Sequence, residues 1–359
     1  MLTVHVIPTL CNGGIERFLM NFISASSDDM YNDVVVYDKR NYWKLEMRKM
    51  GVGVTTIDPP SKTGIFRNMN ILYKYFKQRK PDAVYAYTYY NAAYVLLAAL
   101  FAGVKIRIIH VHTSATDHPK TIGYKLYVFL SKILLSIIPI KRLACSYESG
   151  KTIFYRRFAV IENGIELKDY MYDPRTRLAL RKKLGIDSNT IVIGMVGWLN
   201  KNKNQEFMIN VLSEYHKKNK NVRLVIIGEG PEEKKLKKLA DDLHIKNEVI
   251  FMGNIRDIAK YYNIFDVFVL PSIHEAFPFV LIEAQANGLP IIVSSTVSRE
   301  TKINQNFESI DLDLGAIYWA DAIDKMPKYR IKPNSRIMNY SIDAMFKKIK
   351  AVYKGDKIC

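Results

Sequence analysis

HEAFPFVLIEAQANGLPIIVSS, residues 274–295, places two glutamates, Glu275 and Glu283, eight positions apart across what reads as the opening of a helix. The segment FVLIEAQAN is built of good helix formers, Pro278 stands where a first helical residue tolerates a missing N–H, and Gly288 stands just past the end. A strand, IIVSS, follows at once, and another, VFVLPS at 267–272, comes before; both are short β-branched runs of the kind buried in parallel sheets. Glu275 therefore falls in the loop at a strand's carboxyl end, and Glu283 falls inside the helix. The pair brackets a helix N-terminus, whose free N–H groups and partial positive charge seat phosphate, while carboxylates beside that seat suit sugar hydroxyls. A phosphate attached to sugars is the implied ligand.

The same rhythm runs outward in both directions. LTVHVIP, DVVVYD, VTTID, AVYAYT, IRIIHVH, RLACS and AVIEN read as strands in the first half; IVIGMVG, VRLVIIG and EVIFMG join the two strands above in the second, with helical patterns between. Such alternation predicts α/β architecture with doubly wound parallel sheets. A polar, turn-forming stretch, ENGIELKDYMYDPRTR at 162–177, precedes a fresh strand–helix series and sets the expected boundary at residue 168. The expected layout is a first Rossmann-like domain over 1–168, a second over 169–340, and a helix in 341–359 crossing back to the first. Two such domains meeting face to face would put the carboxyl ends of their strands around one cleft, where open α/β sheets bind ligands.

At 359 residues the chain is long enough for two cores, and 48% hydrophobic with 25% charged residues is ordinary globular composition. Cys11, Cys145 and Cys359 are widely spaced and lack the partner spacing of a zinc site, which points to a reducing compartment and no metal. MLTVHVIPTL carries no basic leader and reads as a first strand, so a cytoplasmic location is expected. Lys and Arg number 53 against 35 Asp and Glu, a formal charge of +18 that calls for an anionic partner. No recognition helix, zinc finger or aromatic RNA-binding signature accompanies the charge, so nucleic acid is not the expected partner. YKLYVFLSKILLSIIPIKR, 124–142, is interrupted by Lys125, Lys132 and Pro139 and does not qualify as a membrane span. It and GIFRNMNILYKYFKQRK, 64–80, are each open to two readings, a helix packed on the first sheet or a peripheral contact with an anionic membrane.

HEAFPFVLIEAQANGLPIIVS resembles the E-x7-E signature of retaining glycosyltransferases of family 4, which have the two-domain GT-B fold, and the resemblance extends along nearly the whole chain. LCNGGIERFLMNF (10–22) is similar to the family's glycine-rich first loop and helix. RIIHVHTS (107–114), ACSYESGK (144–151), VIENGIE (160–166), GWLNKNKNQ (197–205) and LVIIGEGPEEKKL (224–236) resemble its further landmarks in the same order. The branch most similar in flavour is that of bacterial capsule and exopolysaccharide synthesis.

The resemblance implies that Glu275 hydrogen-bonds the donor sugar, that Glu283 binds the ribose hydroxyls of the nucleotide, and that backbone N–H groups around Phe277, Pro278 and Phe279 meet the diphosphate. Gly13 and Gly14, after Asn12, form a turn that lets backbone approach an anion; in the family the matching loop closes over donor phosphate or acceptor. His112 matches the histidine that contacts the donor sugar, with His110 the competing assignment. Lys203, opening the helix NQEFMINVL, would face the diphosphate leaving group, and Gly228 belongs to the neighbouring landmark. Where the family has an arginine after the glycine of the 197–205 loop, this chain has Trp198; Arg256 and Lys201 are the candidate substitutes, and Ala276 replaces a more usual glycine. The expectation is a metal-independent, cofactor-free hexosyltransferase. It would move sugar from a nucleoside-diphosphate donor, uridine-linked, to a saccharide or lipid-linked acceptor at the inner face of the membrane. A nucleotide-sugar-binding homologue without turnover is the alternative that Trp198 keeps open.

Overall fold

The computed structural model describes residues 1–11, 13–27, 29–38, 43–112, 121–275 and 277–356. Asn12, Ala276 and Cys359 lie outside the described residues. The chain divides into two compact units, one comprising Met1–Gly164 and the segment from Asn339, the other Ile165–Met338.

The first unit runs β1 (Leu2–Ile7), α1 (Gly14–Ala25), β2 (Tyr31–Val36), α2 (Lys44–Lys49), β3 (Gly53–Thr56), α3 (Pro60–Thr63), α4 (Ile65–Arg79) and β4 (Ala83–Ala86). It continues with α5 (Ala92–Phe101), β5 (Ile106–Val111), α6 (Ile122–Ile137), β6 (Lys141–Ala144), α7 (Tyr147–Ile153) and β7 (Ala159–Val160). The second unit comprises α8 (Leu167–Tyr170), α9 (Pro174–Lys183), β8 (Ile191–Val196), α10 (Gln205–Lys218), β9 (Val222–Ile227), α11 (Glu233–Asp242) and β10 (Val249–Phe251). After these come β11 (Val267–Leu270), α12 (Phe279–Ala286), β12 (Ile291–Ser294), β13 (Phe307–Ile310) and α13 (Gly315–Lys325). The last helix, α14 (Ile342–Lys354), belongs to the first unit.

Both sheets are parallel throughout, in the orders β3-β2-β1-β4-β5-β6-β7 and β10-β9-β8-β11-β12-β13. In each, the order reverses beside the unit's first strand, between β1 and β4 and between β8 and β11, which is where open sheets of this kind leave room at their carboxyl edge. The strands are β-branched runs with both faces covered: Val192, Ile193, Val267, Val269, Ile291 and Ile292 have no exposed surface. The amino-terminal edge of the second sheet is fastened by charge. Asp266, just ahead of β11, accepts from Arg177 at 2.6 Å, from Arg181 at 2.5 Å and from the Val192 N–H at 2.8 Å. A carboxylate this enclosed is stable only because each oxygen has a charged donor, and the arrangement locks β8 and β11 in register. Their opposite ends carry the candidate site.

Two details of the second unit's elements differ from the sequence reading. β13 was missed, because FESI is an edge strand whose central Glu308 and Ser309 face solvent and so lacks an apolar run. Pro278 is the residue before α12 rather than its first, so the helix begins one position later than its composition suggests. α14 packs by edge-to-face contact of Phe346 with Phe22, ring centroids 5.6 Å apart, and Tyr353 reaches Thr3 at 3.3 Å.

Candidate active site

At the carboxyl edge of the second sheet two loops are laced together, the one after β8 and the one after β11. Lys203 Nζ lies 2.6 Å from Glu275 Oε1, and both side chains are largely screened from solvent. Asn202 makes the join. Its carbonyl accepts from the Ile273 N–H at 2.8 Å, and its side-chain oxygen accepts from the His274 N–H at 3.2 Å. The Asn202 amide donates to the His274 carbonyl at 2.9 Å and to Glu275 Oε1 at 3.4 Å. Asn200 and Asn204 complete the loop. The first accepts from the Lys203 N–H at 2.9 Å; the second sits at φ 57° and donates to the Pro271 carbonyl at 3.3 Å. Asparagine suits all three posts because its short amide bonds backbone locally and tolerates the left-handed region. Glu275 is fixed from its other side as well, where its carbonyl accepts from the Ser298 N–H at 3.2 Å.

Two glycines make this geometry reachable. At Gly228, φ +145°, a Cβ would lie 2.0 Å from the Gly197 carbonyl oxygen, so the ends of β8 and β9 approach more closely than any side chain permits. At Gly197, φ +155°, a Cβ would lie 3.2 Å from Lys203 Cε: the lysine stem lies across the bare glycine on its way to Glu275.

Glu283 is placed differently. It lies within α12, has no exposed surface, and accepts from the Tyr262 hydroxyl at 2.5 Å. Tyr262 is itself buried and stacked on Phe268 of β11 at 5.8 Å. A solvated helical glutamate is thereby excluded, and a ribose would find this carboxylate enclosed. Phe277, Pro278 and Phe279 are buried at the start of α12. Trp198 is about half exposed, its carbonyl accepting from Gln205 at 3.0 Å. Lys201 is exposed in the Lys203 loop, and Arg256 is exposed on the turn after β10.

The remaining candidates belong to the first unit. Gly13 precedes α1, and a Cβ there would stand 2.4 Å from Glu16 Oε2. The anion that the Gly13–Gly14 turn approaches in the structure is thus the chain's own Glu16, buried and bonded by Thr9. Burial raises its pKa, and hydrogen bonds from Thr9 and nearby backbone oppose the rise.

His112 follows β5, its ring 4.1 Å from that of His110 and 4.6 Å from Phe18. Burial of its nitrogens pushes its pKa down to about 3, with Asn163 acting in the opposite sense; neither nitrogen reaches hydrogen-bond geometry with a described residue. His110 is lowered too, by burial and then by His112, and its Nδ1 lies 2.8 Å from the Tyr85 hydroxyl. The structure therefore brings together Lys203, Glu275, Gly228 and Trp198's loop in one unit, and His112 with His110 in the other. Asn202 and Tyr262 were missed by the sequence reading. The alternation of asparagines in LNKNKN was the available signal for the first, since such residues in a loop bond backbone; Tyr262, in a stretch with no periodic pattern, offered none. Among the described residues, no group of three or more His, Cys, Asp or Glu is placed to hold a metal ion.

Similarity to known proteins follows this geometry. Residues 176–329 match the family model described as glycosyl transferases group 1. EpsF of Bacillus subtilis (strain 168), which carries a provisional glycosyltransferase name, is 27% identical over 336 residues, covering 88% of this chain and 82% of that protein. The UDP-Gal:alpha-D-GlcNAc-diphosphoundecaprenol alpha-1,3-galactosyltransferase of Escherichia coli is 29% identical over 257 residues, covering 68% of this chain and 66% of that one. The capsular polysaccharide biosynthesis glycosyltransferase CapH of Staphylococcus aureus is 23% identical over 337 residues, with 90% of each chain covered. Among solved structures, Anabaena HepE in complex with UDP-glucose superposes with a TM-score of 0.83 at 18% identity, covering 99% of this chain and 100% of that one. The fold is GT-B, and residues 176–329, which hold Lys203, Glu275 and Glu283, match the glycosyl transferases group 1 family.

Proposed function

We propose that the chain is a retaining, metal-independent glycosyltransferase that moves a hexosyl unit from a uridine-diphosphate sugar to a saccharide or lipid-linked saccharide acceptor in surface-polysaccharide synthesis. The observation that carries the reading is the Lys203–Glu275 pair, held by Asn202 at the carboxyl ends of β8 and β11 within the matched segment. An incoming diphosphate offers Lys203 a second anion. As the ammonium turns to a phosphate oxygen, Glu275 is released to accept from a hydroxyl of the donor sugar. The bond between the anomeric carbon and the diphosphate oxygen then breaks, and charge grows on the oxygen that Lys203 faces; one such group is worth about 3 kcal/mol. The acceptor hydroxyl attacks from the same face, and its proton passes to the leaving phosphate.

Glu283 keeps the ribose as its proposed ligand only if the start of α12 shifts on binding, and that rearrangement is part of the proposal. His112, neutral because of its burial, is assigned a donor-sugar hydroxyl, and the Gly13–Gly14 turn the donor phosphate or the acceptor. The named activities of the E. coli and S. aureus relatives support the acceptor class, and the UDP-glucose complex of HepE supports the nucleotide. A second reading, binding without turnover, rests on Trp198, whose indole donates one hydrogen bond and carries no charge.

Nucleotide-sugars screened for thermal stabilisation of the chain and for release of free nucleoside diphosphate test both readings. Stabilisation by uridine donors, with UDP release from one of them, is expected. Stabilisation without release from any donor would favour the binding reading, and no stabilisation by any nucleotide-sugar would contradict both.

A further inference from the structure

Helix α6 of the first unit is apolar on two sides. Its inner side packs on the unit: Leu135 and Ser131 are buried, Tyr127 donates to the Asn91 side chain, and Lys132 stands over the rings of Tyr90 and Tyr155 at 6.0 and 5.3 Å. Thr121 caps its start by accepting from the Tyr124 N–H at 3.3 Å, and Arg142 closes its end by donating to the Leu135 and Ser136 carbonyls at 2.7 and 3.1 Å. The outer side is Ile122, Leu126, Phe129, Leu130, Ile133 and Ile137, all exposed, with Ile122 at 86% and Ile137 at 67%. At about 100° per residue these six fall within an arc of roughly 100°, a continuous stripe along a helix about 24 Å long. A surface helix of ordinary design turns charge outward, as α4 does with Arg67, Lys74 and Lys77. An apolar stripe of this extent marks an interaction surface.

Charge decides what the surface meets. From Thr121 to Tyr147 the sequence contains no aspartate or glutamate. Lys125 is exposed along one edge of the stripe and Lys132 follows on the same edge, with exposed Tyr155, Arg156 and Arg157 beside it. None of the four cations is ion-paired with a carboxylate among the described residues. A second copy docking stripe to stripe with the helices antiparallel would set this cationic edge against itself, because such a twofold contact brings the same edge of the patch from both sides. A bilayer with anionic headgroups satisfies both features, taking apolar side chains below the headgroups and cations among them.

We propose that the outer face of α6, with the Tyr155–Arg157 turn beside it, docks on the surface of an anionic lipid bilayer. This inference rests on surface chemistry alone, and its test reads no catalysis. The chain is co-sedimented with vesicles of phosphatidylcholine, and with vesicles of equal parts phosphatidylcholine and phosphatidylglycerol, across a salt series. Retention by the phosphatidylglycerol vesicles at low salt, with release as salt is raised, is expected. Leu126→Ser with Phe129→Ser leaves net charge unchanged and should weaken retention at least about tenfold, because two deeply inserted side chains are lost. Phe66→Ser, at a more exposed apolar position on α4, should leave it unchanged. Equal retention by both vesicle types, no effect of the α6 substitutions, or a dimer in solution that those substitutions dissolve would each overturn the proposal.

Discussion

The two units handle buried polarity in opposite ways. The second holds Lys203 and Glu275 as a charged pair, tied by Asn202 and reached across a bare glycine. The first lines one face of its sheet with His5, Tyr85, Tyr87, His110 and His112, where His5 and Tyr87 stack on Tyr85, His110 lies against His112, and His5 and His110 meet Phe22 and Phe18 edge to face. His5 is held near a pKa of 4 and His112 near 3, in both cases by burial first. Related sheets can therefore carry very different polar chemistry. A charged pair can exchange partners with an incoming ion at little cost, because each member already has a charged neighbour to give up. Neutral rings can offer only hydrogen bonds and shape. The diphosphate is accordingly assigned to the second unit, and the histidine face to uncharged hydroxyls or to packing.

Acidification should break the comparison on the histidine side, and by the largest margin. Folding lowers the pKa of these histidines, so between pH 6.5 and about 4 the unfolded chain binds protons that the folded chain does not. The stability from keeping them neutral is present above pH 6.5 and is lost as pH falls through that window, by on the order of several kcal/mol in total. Glu16, raised by burial, works in the other direction and offsets part of the loss. Urea unfolding midpoints measured between pH 7 and pH 4.5 should fall steadily, and His110→Gln should flatten the slope. Midpoints independent of pH would mean that the histidine face opens to solvent.

A smaller effect should sharpen the comparison on the charged side. Asn202→Ala removes the side-chain bonds to His274 and Glu275 while leaving Lys203 and Glu275 in place. Turnover should drop about tenfold, the scale of one or two net hydrogen bonds, with the thermal midpoint little changed. A fully active variant would show that the two loops keep their register without the asparagine.

Much of this was legible beforehand, and the reasons are specific. β-branched runs bounded by turns disclosed twelve of the strands described here, whereas FESI was hidden by its exposed Glu308 and Ser309. Glu275 and Lys203 were legible because each stands at a strand-to-helix junction where charge is informative. Their contact was not, since it joins loops 72 residues apart and depends on Asn202 and on the close approach at Gly228. The enclosure of Glu283 by Tyr262 was likewise invisible, for a helical glutamate looks the same in sequence whether its partner is water or a buried phenol. The two faces of α6 illustrate the same limit: apolar periodicity identifies a helix but does not say how many of its sides the fold will cover.

The most direct test of the central claim is the turnover of Lys203→Ala relative to the parent chain, with the donor identified by screening and both proteins at matched thermal stability. If Lys203 is the cation on the leaving diphosphate, with Trp198 unable to share its charge, turnover should fall by about a hundredfold or more. A variant within about twofold of the parent would contradict the account, because a group that supplied transition-state charge could not be removed at so small a cost.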